Sequence, residues 1–127
     1  MIVIFLDWKY YDVTNKYYKL FTTEKSWSNA RSDCTSTGGE LASITSLDEN
    51  NFIQSFFILK GTTSRAWIGG RSSDGNTWTW KDGTTWSYEK WNSNEGTDGG
   101  KTSLGAAGGS WNDEDGTALW NSICKKS

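Results

Sequence analysis

Two short apolar runs, separated by polar residues, lie near the start of the chain. The stretch from Trp8 to Phe21 is rich in tyrosine, valine and phenylalanine, and a polar break from Asp12 to Lys16 divides it. This pattern predicts two strands joined by a turn. The apolar segment 1–6, which Asp7 interrupts, is too short for a signal peptide and we interpret it as an edge or first strand.

Helical spacing follows in two places. Ser26 is a candidate N-cap for a helix that carries apolar residues on one face and ends at Gly38 and Gly39. Its apolar face consists of Trp27, Ala30 and Cys34. Ser46 and Glu49 have the spacing of a capping box and predict a second helix. The apolar stripe of that helix consists of Phe52, Ile53, Phe56 and Phe57.

The second half of the chain has a different residue pattern, with strand and turn signals instead of helical spacing. The run Ala66 to Gly69 predicts a buried strand, and the stretch Trp78 to Trp86, centred on Asp82 and Gly83, predicts a β-hairpin. Residues 91–110 are mostly Gly, Asn, Ser and Thr, so we expect a long loop there that is either functional or disordered. Trp111 to Cys124 would form a closing hairpin. Helices followed by strands indicate an α+β fold.

The amino-acid composition argues against several classes of function. A chain of 127 residues fits one domain spanning 1–127, and nine tryptophans can build its core. We assign Trp27, Trp67, Trp78, Trp80 and Trp111 to packing, whereas Trp86, Trp91 and Trp120 are weaker core candidates, one of which could stack on a sugar. The lack of histidine removes His-based triads and zinc sites, and a net charge of −2 without a basic stripe argues against nucleic acid. We therefore expect a binding domain and not an enzyme.

The two cysteines, Cys34 and Cys124, leave two alternatives open. As a disulfide they would close most of the chain into one loop and indicate an oxidising, extracellular setting. As reduced, buried thiols they would carry no such implication. No signal sequence and no membrane span is expected in this chain.

The series of motifs resembles the C-type lectin-like domain family along nearly the whole chain. The opening half is carried by 16–21, by Trp27 to Cys34 and by 38–44. The central strands correspond to 67–70, 78–80, Asp82, Gly83 and Trp91, and the closing segment to 111–113 with Cys124. The resemblance implies two helices that flank a small antiparallel sheet, with a long loop region on an upper sheet.

That resemblance also implies a Cys34–Cys124 disulfide between the first helix and the last strand. The second disulfide of the family is missing, because Gly116 stands where one cysteine would be and residues 102–104 are Thr, Ser and Leu. The presumed binding region would therefore have less covalent restraint than is usual in the family.

Sugar-binding members of the family hold Ca²⁺ with carboxylate and amide side chains, and the sugar hydroxyls complete the coordination shell. Glu95 matches the glutamate of the family's Glu-Pro-Asn motif, but Gly96 replaces the proline, which is usually cis, and Thr97 replaces the asparagine. Asn112 and Asp113 match the downstream pair, and Asp98 is the only substitute for a further acidic ligand. The resemblance thus predicts calcium ligands at Glu95, Asp98, Asn112 and Asp113 and sugar contacts at Glu95, Thr97, Asn112 and Asp113.

Three functions remain open. The first is a secreted or cell-surface lectin that depends on Ca²⁺ and favours mannose-type glycans. The second is calcium-independent recognition of a protein ligand, in which Asn112 and Asp113 only hydrogen-bond the turn and strand. The third is ice or mineral binding, although the threonines form no regular array. Strong binding by a lectin requires several copies, so a homo-oligomer through a surface such as the N-terminal strand is a further expectation.

Overall fold

A β-hairpin opens the computed structural model, which describes residues 8–60, 65–105 and 108–127, with the backbone alone at 57–60. Strand β1 (Lys9–Tyr11) pairs antiparallel with β2 (Lys16–Lys25). Asn15, at φ +56°, closes the turn and donates its N–H to Tyr11 O at 2.9 Å. The predicted pair of strands is confirmed, whereas the strand expected at 1–6 lies outside the described residues.

Helix α1 (Trp27–Ser36) begins and ends as the sequence predicts. Ser26 Oγ accepts a hydrogen bond from the Asn29 N–H at 3.4 Å, and Gly38, at φ +86°, reverses the chain at the other end. The predicted face, which consists of Trp27, Ala30 and Cys34, is buried.

Helix α2 (Leu47–Lys60) carries only half of the predicted capping box. The Glu49 N–H donates to Ser46 Oγ at 3.0 Å, but the Glu49 carboxylate accepts from the Thr45 N–H at 2.8 Å instead of from Ser46. The carboxylate is drawn inward because its other oxygen accepts from Lys125 Nζ at 2.7 Å. In the predicted stripe Ile53 and Phe56 are buried and Phe52 is partly buried, and the Phe57 side chain lies outside the description.

Six further strands complete one mixed sheet, which is larger than the small antiparallel sheet expected. They are β3 (Glu40–Leu41), β4 (Arg65–Ser72), β5 (Thr79–Trp80), β6 (Gly100–Gly105), β7 (Trp111–Glu114) and β8 (Trp120–Lys126). The order is β1-β2-β8-β4-β6-β7, with β3 on β8 and β5 on β4. The β4–β8 pair is parallel and joins the two parts of the sheet.

The hairpin predicted at Trp78 to Trp86 is wrong. Strand β5 pairs with β4, with Trp80 opposite Gly70, and no strand forms over 84–86. The Asp82 carboxylate accepts from the Thr84 N–H at 2.9 Å, and Trp86 stacks on Trp80 with ring centroids 4.3 Å apart. The alternating pattern therefore serves ring packing and not strand pairing.

The long loop and the closing hairpin also need correction. Residues 100–105 form the interior strand β6, which lies between β4 and β7. Thr102 lies close to the backbone of β4, where its Oγ1 accepts from the Gly70 N–H at 2.8 Å. Strand β7 pairs with β6 and not with β8, so the closing hairpin is absent from the described strands.

The core consists of two apolar clusters. The larger one contains Tyr18, Ile53, Ile68 and Trp111 among others, and the smaller one surrounds Trp27, Trp67 and the cysteines. Cys34 and Cys124 form a disulfide with Cα atoms 5.3 Å apart, which confirms the predicted pairing. Among the described residues no helix is long and apolar enough to cross a membrane.

Candidate functional site

The predicted site residues lie on two segments, the loop 91–99 and strand β7. The loop begins on Trp111, whose N–H donates to Lys90 O at 2.8 Å and whose carbonyl accepts from the Asn92 N–H at 2.9 Å. The Glu95 N–H then donates to Asn92 O at 3.1 Å, which closes a turn. These bonds place Glu95 beside Asp113, two residues beyond Trp111 on β7. We call Asn92, Glu95, Asp98, Asn112 and Asp113 the loop–β7 site.

A cluster of tryptophan rings supports this loop from below. Trp78, Trp80 and Trp111 are buried, and Trp86 and Trp91 are half-buried against them. The centroids of Trp78 and Trp91 are 4.9 Å apart, and those of Trp91 and Trp111 are 5.7 Å apart. Core packing is thus confirmed for the first three rings and fits the partial burial of the other two.

Gly96 is where the loop rests on this cluster. Its carbonyl accepts from Trp78 Nε1 at 3.0 Å, and it adopts φ +91°, which favours glycine. A Cβ atom there would lie 2.6 Å from the Trp91 ring. Glycine therefore fits the position that proline occupies in the family's motif, and the described residues contain no cis peptide bond.

The centre of the site is a pair of carboxyl groups. Glu95 Oε1 accepts from the Asp113 N–H at 3.1 Å, and Asp113 Oδ2 accepts from the Asp98 N–H at 2.8 Å. Asp113 Oδ1 is buried and has no N–H donor among the described residues. A buried acceptor without a donor is costly, so this atom calls for a partner.

The two carboxyl groups of the site also differ in pKa. Burial and a hydrogen bond to the Asp113 carboxyl raise the pKa of Glu95 above 4.5. Burial also acts to raise the pKa of Asp113, but hydrogen bonds from the Gly96 and Asp98 backbone and from Glu95 outweigh it and lower that pKa. The two carboxyl groups are therefore close enough to perturb each other's pKa in opposite directions.

The remaining predicted residues contribute unequally. Asn112 Oδ1 accepts from Asn92 Nδ2 at 2.6 Å at the edge of the site. Asp98 contributes its backbone N–H, while its side chain is exposed. Thr97 is exposed, and its carbonyl packs against Gly75, where a Cβ atom would lie 2.1 Å away. The structure therefore brings Glu95 and Asp113 together, pairs Asn112 with Asn92, and leaves the Thr97 and Asp98 side chains at the rim.

These residues fit a cation in part. Among residues 8–60, 65–105 and 108–127 no three acidic, cysteine or histidine side chains converge as a metal site. Asp113 Oδ1, however, is an unpartnered oxygen of a carboxyl group that lies beside a second carboxyl group. Ca²⁺ prefers such ligands but takes roughly six to eight of them, so several would have to come from solvent or from a bound molecule.

Two residues of the site region escaped the sequence analysis. Asn92 follows a tryptophan in a polar stretch, and nothing in that pattern marks it. Asn50 of α2 is fully buried; its Nδ2 donates to Gly109 O at 2.9 Å, and its Oδ1 accepts from Trp111 Nε1 at 2.8 Å. Asn50 precedes Ile53 by three residues, so a polar residue on the apolar stripe was the available signal.

The fold and the site define a small disulfide-linked domain with a loop region fastened to its upper strands. A comparison with models of protein families matches residues 23–126 to the Lectin C-type domain. The chain therefore belongs to the C-type lectin domain family.

Individual relatives agree with this assignment. The chain is 34% identical over 120 residues to a lectin of Pleurodeles waltl, which covers 87% of this chain and 70% of that protein. It is 38% identical over 88 residues to C-type lectin domain family 4 member F of Rattus norvegicus, which covers 68% of this chain. A solved calcium-independent type II antifreeze protein superposes with a TM-score of 0.83 at 28% identity, covering 95% of this chain and 92% of that one.

The share of each relative's length that matches limits which of its properties can be assigned to this chain. The chain spans only 15% of the rat protein's length. The family is thus shown for this domain, whereas the activities of such longer proteins are not carried over. The relatives also differ in kind, since they include a lectin and an antifreeze protein.

Proposed function

We propose that this chain binds glycans through a weak Ca²⁺ site at the loop–β7 site. The observation that supports the proposal most is Asp113 Oδ1, a buried carboxylate oxygen without a donor, next to the carboxyl group of Glu95. A divalent cation would satisfy both groups. The family includes proteins named as lectins, which agrees with this proposal.

Glu95, Asn112 and Asp113 would hold the ion, and the exposed Asp98 carboxylate lies at the rim as a further oxygen ligand. Bound Ca²⁺ would supply coordination positions for vicinal sugar hydroxyls. The same carboxylate and amide groups accept from and donate to those hydroxyls, and Thr97 offers one more hydroxyl at the rim. Mannose-type sugars are the class to test first, because Glu95 keeps the glutamate of the Glu-Pro-Asn motif.

Calorimetric titration with Ca²⁺, together with thermal melts in its presence and absence, is the first test. A ligand that binds only the folded state stabilises it, by about 2.7 kcal/mol at a concentration one hundred times its Kd. We expect a rise in Tm with added calcium in the unmodified chain and none in Glu95→Gln or Asp113→Asn. Glu24→Gln and Asp12→Asn make the same chemical changes at exposed positions of the lower part and should keep the rise.

A glycan array with and without chelator is the second test. Mannose-type glycans should be retained in calcium and lost in chelator. The proposal fails if binding survives both the chelator and the Glu95 and Asp113 variants.

A calcium-independent recognition domain is the second candidate, and a specific observation favours it. The loop–β7 site is already closed by hydrogen bonds within the chain, from Asp98 and Asp113 N–H and from Asn92 Nδ2. The similar structure is likewise named calcium-independent. An absence of any calcium heat or thermal shift would favour this function, with a protein as ligand. Because that structure is an antifreeze protein, thermal hysteresis of the same sample tests for ice binding.

The disulfide is consistent with an extracellular location, as we propose for this chain. Single lectin sites bind weakly, so display in several copies would raise the avidity.

A further inference from the structure

Four aspartates in this chain are followed directly by glycine: Asp74, Asp82, Asp98 and Asp115. All four side chains are exposed. They differ in how the carboxylate is held, and that difference has a chemical consequence.

Hydrogen bonds fix three of the four carboxylates. Asp74 Oδ1 accepts from the N–H groups of Asn76 and Thr77, at 2.8 and 2.9 Å. Asp82 accepts from the Thr84 N–H at 2.9 Å and from Ser43 Oγ at 2.5 Å. These bonds hold each side chain in one orientation, and the bonds to backbone N–H groups two or three residues ahead are usual for aspartate in turns.

Asp115 completes the fixed set, and Asp98 stands apart from it. Asp115 Oδ1 accepts from the Thr117 N–H at 2.9 Å and from Thr117 Oγ1 at 2.7 Å. The Asp98 carboxylate accepts no hydrogen bond from the residues that the structure describes, although its backbone N–H is bound to Asp113. Its main chain is thus held while its side chain is free to rotate.

Free rotation matters because an aspartyl side chain before glycine can react with its own backbone. The Gly99 nitrogen attacks Cγ of Asp98, an N–Cγ bond forms, and one water leaves with the carboxyl oxygen and the amide proton. The resulting five-membered succinimide then takes up one water. If the bond from nitrogen to the original backbone carbonyl breaks, the product is isoaspartate. Glycine at the following position offers no side chain to hinder the attack.

We infer that Asp98 is the position at which this chain spontaneously forms isoaspartate, ahead of the other three aspartate–glycine steps. Each hydrogen bond that must break before a carboxyl group can turn towards the next nitrogen slows the reaction by about fivefold, since such a bond contributes about 1 kcal/mol. The Asp98 step therefore runs at least about fivefold faster than the others.

The product would alter the loop–β7 site. Isoaspartate lengthens the backbone by one atom between residues 98 and 99. The segment that follows cannot absorb it, because Gly99 lies against Gly75 and a Cβ atom on Gly100 would lie 2.1 Å from Glu114 O. The extra length must enter the loop itself, where the Asp98 N–H contacts Asp113.

Peptide mapping of the aged protein tests the inference without reference to any ligand. The full chain is held at neutral pH and physiological temperature, and isoaspartate is quantified by enzymatic methylation and located by fragmentation mass spectrometry. We expect it first at residue 98, at least about fivefold ahead of residues 74, 82 and 115. Equal rates at the four positions, or a faster reaction elsewhere, would overturn the inference.

Two controls separate the fold from the local sequence. Asp98→Glu should reduce total isoaspartate to the level of the remaining three steps, whereas Asp115→Glu should leave the total nearly unchanged. In the reduced, urea-unfolded chain the four positions should react at similar rates. If residue 98 stays ahead there, the cause is sequence and the structural inference is wrong.

Discussion

The lower and upper regions of this domain are held together by different means. The lower region comprises the β1–β2 hairpin, both helices, β3 and β8, and the upper region comprises residues 72–118. A disulfide and a buried ion pair cross-link the lower region, since Lys125 Nζ lies 2.7 Å from Glu49 Oε2. Among the glycines that the structure describes at positive φ, all but Gly38 lie in the upper region, together with the tryptophan cluster.

This difference separates scaffold from binding surface. Contacts in the lower region join residues far apart in sequence, so they define one arrangement of the chain. The upper region takes its shape from backbone turns that rest on aromatic rings, and most polar side chains of its loop 91–99 are exposed. Binding residues on loops over a rigid scaffold are a common arrangement, and it allows a site to vary without loss of the fold.

At the position where the family's second disulfide would lie, non-covalent contacts hold the upper region. Gly116 O accepts from the Trp27 N–H at 3.0 Å, and the Lys101 ammonium lies 4.9 Å from the centre of the Trp27 ring. The Lys101 side chain passes close to Gly116. A hydrogen bond and a cation–π contact therefore tie the upper strands to α1 without a covalent link.

Breaking the buried ion pair should have the largest effect. Glu49 is fully buried and accepts from Lys125 at 2.7 Å and from Tyr18 Oη at 2.5 Å. Lys125→Met leaves the carboxylate without its cation, and we expect a loss of about 3–5 kcal/mol in the free energy of unfolding, measured by urea denaturation.

The matched control is a half-exposed pair, Lys25 and Asp33, at 2.7 Å. Asp33→Asn should cost less than about 1 kcal/mol because solvent screens such pairs. The double variant Glu49→Leu with Lys125→Met should recover most of the loss, since no lone charge remains. Equal losses in the single and double variants would show that packing, and not charge, is responsible.

Removal of the disulfide should come next. Cys34 and Cys124 are 90 residues apart, and the double variant to alanine should lower the free energy of unfolding by about 2–4 kcal/mol. If the two regions are held independently, amide exchange at Asp98 and Asp113 should keep its protection well below the new Tm. Early loss of protection at those amides would mean that the loop depends on the disulfide.

Both the success and the failure of sequence analysis follow the same division. Caps, apolar stripes and the disulfide of the lower region were predictable because each rests on a local or family pattern. Strand β6 was not predicted because Thr102 and Ser103 are small and polar, a pattern typical of loops. In the structure both are buried beside a neighbouring backbone. The pairing of Glu95 with Asp113 was expected only through the family, and the role of Asn92 depends on β7, which no local pattern reveals.

Gly96→Ala should break the upper region alone. A positive φ costs alanine about 1–2 kcal/mol, and here the Cβ atom would also press on the Trp91 ring. Because the loop can open locally, we expect a global loss of only about 2 kcal/mol but a clear change in near-ultraviolet circular dichroism. Gly83→Ala is the control, with φ +85° and no atom within 4 Å of the added Cβ. A similar spectral change in both variants would contradict the close approach to Trp91.

The smallest predicted effect is a gain. In Glu95→Gln the side-chain oxygen still accepts from the Asp113 N–H, and the new amide N–H donates to Asp113 Oδ1, which lacks a donor. We expect this variant to be about 1 kcal/mol more stable than the unmodified chain at neutral pH in chelator.

The difference should vanish in acid. The pKa of Glu95 is raised in the folded state, so below pH 4.5 the group is protonated whether folded or unfolded and resembles glutamine. As the pH rises from 4.5 through the raised pKa, the unfolded chain releases the proton more readily, and the unmodified protein loses stability relative to the variant. Thermal melts across this range measure the difference, with Glu24→Gln as the control that should show no such trend. A variant less stable at neutral pH would mean that Asp113 Oδ1 is satisfied by other means, and the main support for a cation at this site would then fall away.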